Sequence, residues 1–92
     1  MSQDSAEILA IRALGWLARE DDLLDVFLGS SGLARDELAE GAADPEFLAS
    51  VLDFVMMDDA WVMRFAEAEN VAPETLRLAR SELPGGALPE WT

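Results

Sequence analysis

The stretch from Asp44 to Phe65, DPEFLASVLDFVMMDDAWVMRF, is the most apolar in the chain and the only one that reads as a helix buried over more than half its circumference. Asp44 followed by Pro45 marks a helix start, because the aspartate side chain can accept from the first free amides and a proline at the first helical position forfeits no hydrogen bond. At about 100° per residue, Phe47, Leu48, Val51, Leu52, Phe54, Val55 and Met56 fill one broad arc, and Glu46, Ser50 and Asp53 lie opposite. An arc that wide needs neighbours on two sides. Asp58 and Asp59 end this helix and can cap the next, whose inner stripe is expected at Trp61, Val62, Phe65 and Ala68.

The remaining segments read as the helices that cover it. Residues from Asp4 to Glu20 form an amphipathic helix with an expected Asp4 cap and Glu7 three residues on. Leu9, Ala10, Ala13, Leu14, Trp16 and Leu17 share its inner face, Trp16 as a core anchor. A short acidic-headed helix follows, with Leu23, Leu24, Phe27 and Leu28 for burial. It closes at Gly32-Leu33 in a Schellman-type stop, glycine taking the left-handed position. Ala34 to Ala42 reads as a third helix with Leu38 inward. Asn70 and Val71 repeat the Gly32-Leu33 stop. Pro73 opens a last helix lined by Leu76, Ala79 and Leu83, and Pro84-Gly85-Gly86 ends it. The C-terminal tail, residues 84–92, is expected to lie back on the bundle through Leu88 and Trp91.

A shift of 38 residues superposes Leu14 on Leu52, Trp16 on Phe54, Asp21 on Asp59, Phe27 on Phe65, Gly32 on Asn70 and Leu38 on Leu76. The expectation is an all-α bundle of about six helices in one domain, 1–92, built from two copies of a three-helix unit, 7–43 and 45–81, with pseudo-twofold symmetry. Each unit is too small to bury its apolar face alone, so the two long helices should pack as a central pair.

Composition narrows the chemistry. The chain has no cysteine, histidine, tyrosine or lysine, which removes thiol and Schiff-base nucleophiles, the usual neutral-pH acid and base, and the common nitrogen and sulfur metal ligands, and leaves carboxylates, hydroxyls and arginine for any catalysis. No cofactor is expected, and the chain reads as a non-enzyme. A formal charge of −13 repels phosphate backbones and anionic lipid, so neither direct nucleic-acid binding nor a membrane surface is expected. No apolar run is long enough to span a bilayer and the N-terminus carries no secretory pattern, which points to a cytoplasmic protein.

With Trp16-Leu17, LLDVFLGSSGL, ADPEFLASVLDFVMMDD and the Leu83-Pro84-Gly85-Gly86 ending in view, the sequence resembles a family of short, mainly alphaproteobacterial proteins known as a domain of unknown function. The resemblance covers nearly the whole chain and implies a small all-helical fold in a bacterial setting, with no assigned site.

Two features carry candidate functions. Asp22 and Asp25, with Glu37 and Glu40, make carboxylate pairs at three-residue spacing, as magnesium- or manganese-dependent helical hydrolases use, but structural helix-start and surface roles explain them far better in so acidic a chain. Met56, Met57 and Met63 cluster with Val62 around the second helix break, and Met57 falls on the polar side of its helix. Methionines there suit an adaptable contact surface. The leading expectation is a helical protein–protein interaction module, for another protein or a second copy of itself, with Met57, Val62 and Met63 in the contact. The alternatives are an acidic decoy for a basic nucleic-acid-binding protein and a divalent-metal hydrolase using the four carboxylates.

Overall fold

Helix starts and stops in this chain are set by short-range hydrogen bonds, and the computed structural model, which describes residues 1–85, shows where they fall. The elements are α1 (Gln3–Arg19), α2 (Asp21–Ser31), a 3-10 turn (Arg35–Glu37) running into α3 (Leu38–Gly41), α4 (Pro45–Val55), α5 (Asp59–Glu69) and α6 (Glu74–Ser81). The architecture is a small all-α bundle of six helices, with no strand among the described residues. Among them no helix is long and apolar enough to cross a membrane. The tail residues Leu88 and Trp91 lie outside the described residues.

The Asp44 carboxylate accepts the Glu46 amide at 3.0 Å and Asp58 accepts that of Ala60 at 2.8 Å, so both aspartates cap as expected. At the N-terminus the cap is Ser2 instead of Asp4: its hydroxyl accepts the Ser5 amide at 3.1 Å, and Asp4 becomes a first-turn acid favoured by the helix dipole. The third helix is also shorter than the sequence pattern implies. Its first residues wind as a 3-10 turn, held by the Glu37 carboxylate accepting from the Ala34 amide at 2.8 Å.

Both predicted left-handed stops are present, at Gly32 (φ 75°) and Asn70 (φ 56°). Their hydrogen bonding differs. Val71 donates to the Ala66 carbonyl and Asn70 to that of Glu67, the paired bonds of a Schellman motif, whereas Gly32 makes the single bond to Leu28 of the simpler left-handed cap. The bounds of α2, moved by 38 residues, coincide with those of α5. The packing around them is not so evenly distributed. Helices α1 and α4 share the most extensive contact, and α1 also packs against α2, α5 and α6.

The core follows the expected faces closely. Leu48, Ala49, Val51, Leu52, Phe54 and Val55 of α4 are buried, and Leu9, Ala10, Ala13, Leu14, Trp16 and Leu17 of α1 face them. Phe47 and Met56 are half-buried at the edges of the arc. An aromatic row runs through the interior, Phe47 edge-on to Phe27, Phe27 edge-on to Phe54, and Phe54 stacked on Trp61 at 4.9 Å. Trp16 is buried as an anchor, edge-on to Phe65 at 5.6 Å. Its other neighbour is charged: the Arg64 guanidinium sits 5.9 Å from the ring centre.

On α5 the inner stripe runs through Phe65 and Ala66, with Ala68 exposed. The inward position one turn beyond Phe65 is filled by Glu69. Its carboxylate accepts from Arg12 Nε at 3.0 Å and from Arg19 Nη2 at 3.4 Å, and its carbonyl accepts from Arg12 Nη2 at 2.8 Å. Arg64 donates to Glu20 at 2.8 Å and Arg80 of α6 to Asp53 of α4 at 2.7 Å. Three of the six arginines therefore tie one helix to another, and a fourth, Arg64, ties α5 to the break between α1 and α2.

Because Arg12 and Arg19 are well exposed, Glu69→Gln is expected to cost only about 0.5–1 kcal/mol. Urea denaturation at low and high salt checks this: the gap between wild type and variant should narrow as salt screens the pairs. A gap that salt leaves unchanged would assign the loss to packing.

Candidate functional site

The second helix break places three helix ends together. The C-terminal end of α4 delivers Met56, the first two turns of α5 deliver Asp59, Val62 and Met63, and the start of α6 delivers Pro73, Glu74, Leu76 and Arg77. Between them lies an open groove of about 420 Å³. Its deep side is apolar, since Leu76 is buried and Met56, Val62 and Pro73 are half-buried. Met63 stands at the rim with 57% of its surface exposed, and Met57, on the turn beside Met56, is 76% exposed.

The groove is therefore greasy at its base and charged at its edge. Asp59 and Glu74 each occupy the first turn of their helix, where a carboxylate offsets the positive end of the dipole, and both are exposed. Arg77 is the only cation on the lining and makes no ion pair among the described residues. The lining side chains include no thiol, imidazole, amine or hydroxyl group. What it offers is apolar area framed by carboxylates, with sulfur side chains that adapt to shape.

Of the three residues predicted for partner contact, Val62 and Met63 line this groove and Met57 lies outside it as the most exposed large apolar side chain nearby. Sequence reading did not find the α6 side of the site. Glu74 and Arg77 look like ordinary solvated positions on an amphipathic helix, and only the fold brings them across from Met63.

The alternative carboxylate set behaves differently. Asp22, Asp25, Glu37 and Glu40 are all exposed, and among the described residues no group of three or more acidic side chains converges as a metal site would require. Glu37 is already engaged with the Ala34 amide. Ser30 and Ser31 donate back to the Phe27 and Leu28 carbonyls, at 3.1 and 3.5 Å, as serines at a helix end do. A second, shallower hollow of about 290 Å³ is lined by Glu46, Ala49, Ser50, Asp53, Arg80, Pro84 and Gly85, with Arg80 committed to Asp53 and to the Pro84 carbonyl.

Among known proteins, the sequence profile of a family described as "Protein of unknown function (DUF3572)" matches residues 3–86. Neither a curated protein nor a solved structure is matched.

Proposed function

Since the chain belongs to the DUF3572 family, whose function is unknown, we propose from its own surface that it is a non-enzymatic interaction module. Its α5–α6 groove would receive an amphipathic, basic segment of another protein. The observation that carries this reading is the groove itself: an apolar base of Met56, Val62 and Leu76, the exposed methionines Met57 and Met63 beside it, and Asp59 and Glu74 on its edge. Apolar side chains of the partner supply the affinity by displacing water from the groove, and its cations meet a chain whose net charge is −13. The same charge disfavours nucleic acid and anionic lipid as partners. A cysteine-free chain suits the reducing cytoplasm in which we place this activity.

A photo-cross-linking side chain placed at Met63, with Ala39 on exposed α3 as the control position, tests the reading in the native host. One partner should be captured from position 63 and not from 39, and Met57→Glu with Met63→Glu should reduce its capture at least tenfold while helicity is unchanged. Both methionines face solvent, so neither substitution disturbs the core. Equal capture from both positions, or capture that survives the double substitution, overturns the assignment. A basic partner that is released by moderate salt and is insensitive to the methionines would establish the acidic-decoy alternative instead.

A further inference from the structure

The outer face of α1 carries a second apolar strip that the bundle leaves uncovered. Ile8 is 60% exposed and Ile11 45%, one helical turn apart on the side opposite the buried stripe. Gly15 and Ala18 continue that face toward the C-terminal end of the helix, with Asp4 near its start and Arg19 near its finish. None of these residues lines the α5–α6 groove.

Two properties of this strip have no explanation inside the monomer. The first is Gly15. A glycine within a helix costs about 1 kcal/mol relative to alanine, yet its backbone has ordinary helical torsions, and a Cβ built on it would meet nothing closer than Arg19 Nη1 at 3.9 Å. Nothing in the chain's own packing requires the missing side chain.

The second property is charge. Asp4 and Glu7 are matched by Arg12 and Arg19, so the formal charge of −13 falls entirely on the residues from Glu20 onward. The residues of α1 therefore carry no net formal charge of their own, so two α1 helices can meet without net repulsion between them.

We propose that the outer face of α1 is the seam of a homodimer in which two α1 helices pack antiparallel across a twofold axis. An axis passing between Ile11 and Arg12 sets each residue opposite the one whose number completes a fixed sum. Ile8 then lies over the partner's Gly15, and Asp4 faces, at both ends of the pair, the partner's Arg19, which meets Glu69 of its own chain at 3.4 Å but is 67% exposed and so open to a second carboxylate. The seam is self-complementary in shape and in charge, as a twofold interface must be. A glycine beneath each Ile8 lets the helices approach closely. The proposal is independent of the groove.

Sedimentation equilibrium of the full chain over micromolar to submillimolar concentration tests it. A reversible monomer–dimer equilibrium is expected, and Ile8→Glu with Ile11→Glu should raise the dissociation constant at least tenfold without loss of helicity. Gly15→Leu should do the same while leaving the monomer's helicity and melting temperature equal or higher, because it removes a helix-weakening residue. As the chain has no cysteine, mixed Ile8→Cys and Gly15→Cys proteins should form a cross-linked pair under mild oxidation far faster than either does alone. A chain that remains monomeric throughout, a dimer that survives Ile8→Glu with Ile11→Glu or Gly15→Leu, or self-linking of each protein as fast as mixed linking would overturn the proposal.

Discussion

Phe65→Ala is expected to remove a large share of the stability of this protein. Phe65 is fully buried and edge-on to Trp16 at 5.6 Å, so its ring joins α5 to the inner face of α1. Truncating a buried phenylalanine costs about 3–5 kcal/mol, from lost transfer free energy and the cavity left behind. A domain of this length is stable by roughly 5–14 kcal/mol in total. The corresponding fall in melting temperature is on the order of 12–40 °C for a domain of this size. Urea titration followed by circular dichroism measures it directly. Phe47→Ala is the matched control, because Phe47 is only half-buried at the edge of the aromatic row and should cost markedly less. Equal losses from the two would mean that Phe65 does not anchor α5 on α1.

The second large effect is expected from the addition of a single methyl group. A Cβ on Gly41 would lie 2.5 Å from Phe47 Cδ2 and 2.7 Å from Cε2, because the ring is laid directly across the end of α3. The ring cannot move away without leaving its edge-on contact with Phe27 at 5.9 Å. Overpacking of this kind costs typically about 1–3 kcal/mol, against which alanine returns at most about 1 kcal/mol of helix preference. Gly41→Ala should therefore destabilise by about 1–2 kcal/mol net. The discriminating measurement is a double-mutant cycle: in a Phe47→Ala background the same substitution should be neutral or stabilising, since the clash is gone. A loss that persists without the ring would place its origin in the backbone.

These two positions also show what the sequence could and could not reveal. The Asp44 and Asp58 caps and the left-handed stops at Gly32 and Asn70 depend on hydrogen bonds within a few residues, so their residue types announce them. The arc on α4 was equally readable, because half a turn of apolar surface has to be covered by something. Choices made between distant segments were not readable. Glu69 occupies an inner position on α5, where periodicity anticipates an apolar residue, because Arg12 and Arg19 of another helix neutralise it there. Gly41 gives no signal of its own until Phe47 lies on it. The same limit applies to the groove: Val62 and Met63 stood out as apolar excess, whereas Glu74 and Arg77 become part of the site only when α6 is folded across from α5.

The position of α1 at the centre of the bundle has a consequence for synthesis. Among the described helices the one made first packs against α2, α4 and α5 and also against α6, made last, so its apolar face is fully covered only after the intervening chain is produced. At about 5–20 residues per second that interval is on the order of 3–13 s. Until then part of that face is open to whatever chaperone surveys the ribosome exit, and the core is complete only when Leu76, Ala79 and Leu83 arrive. Despite the echo between its halves, α1 takes its cover from helices of both.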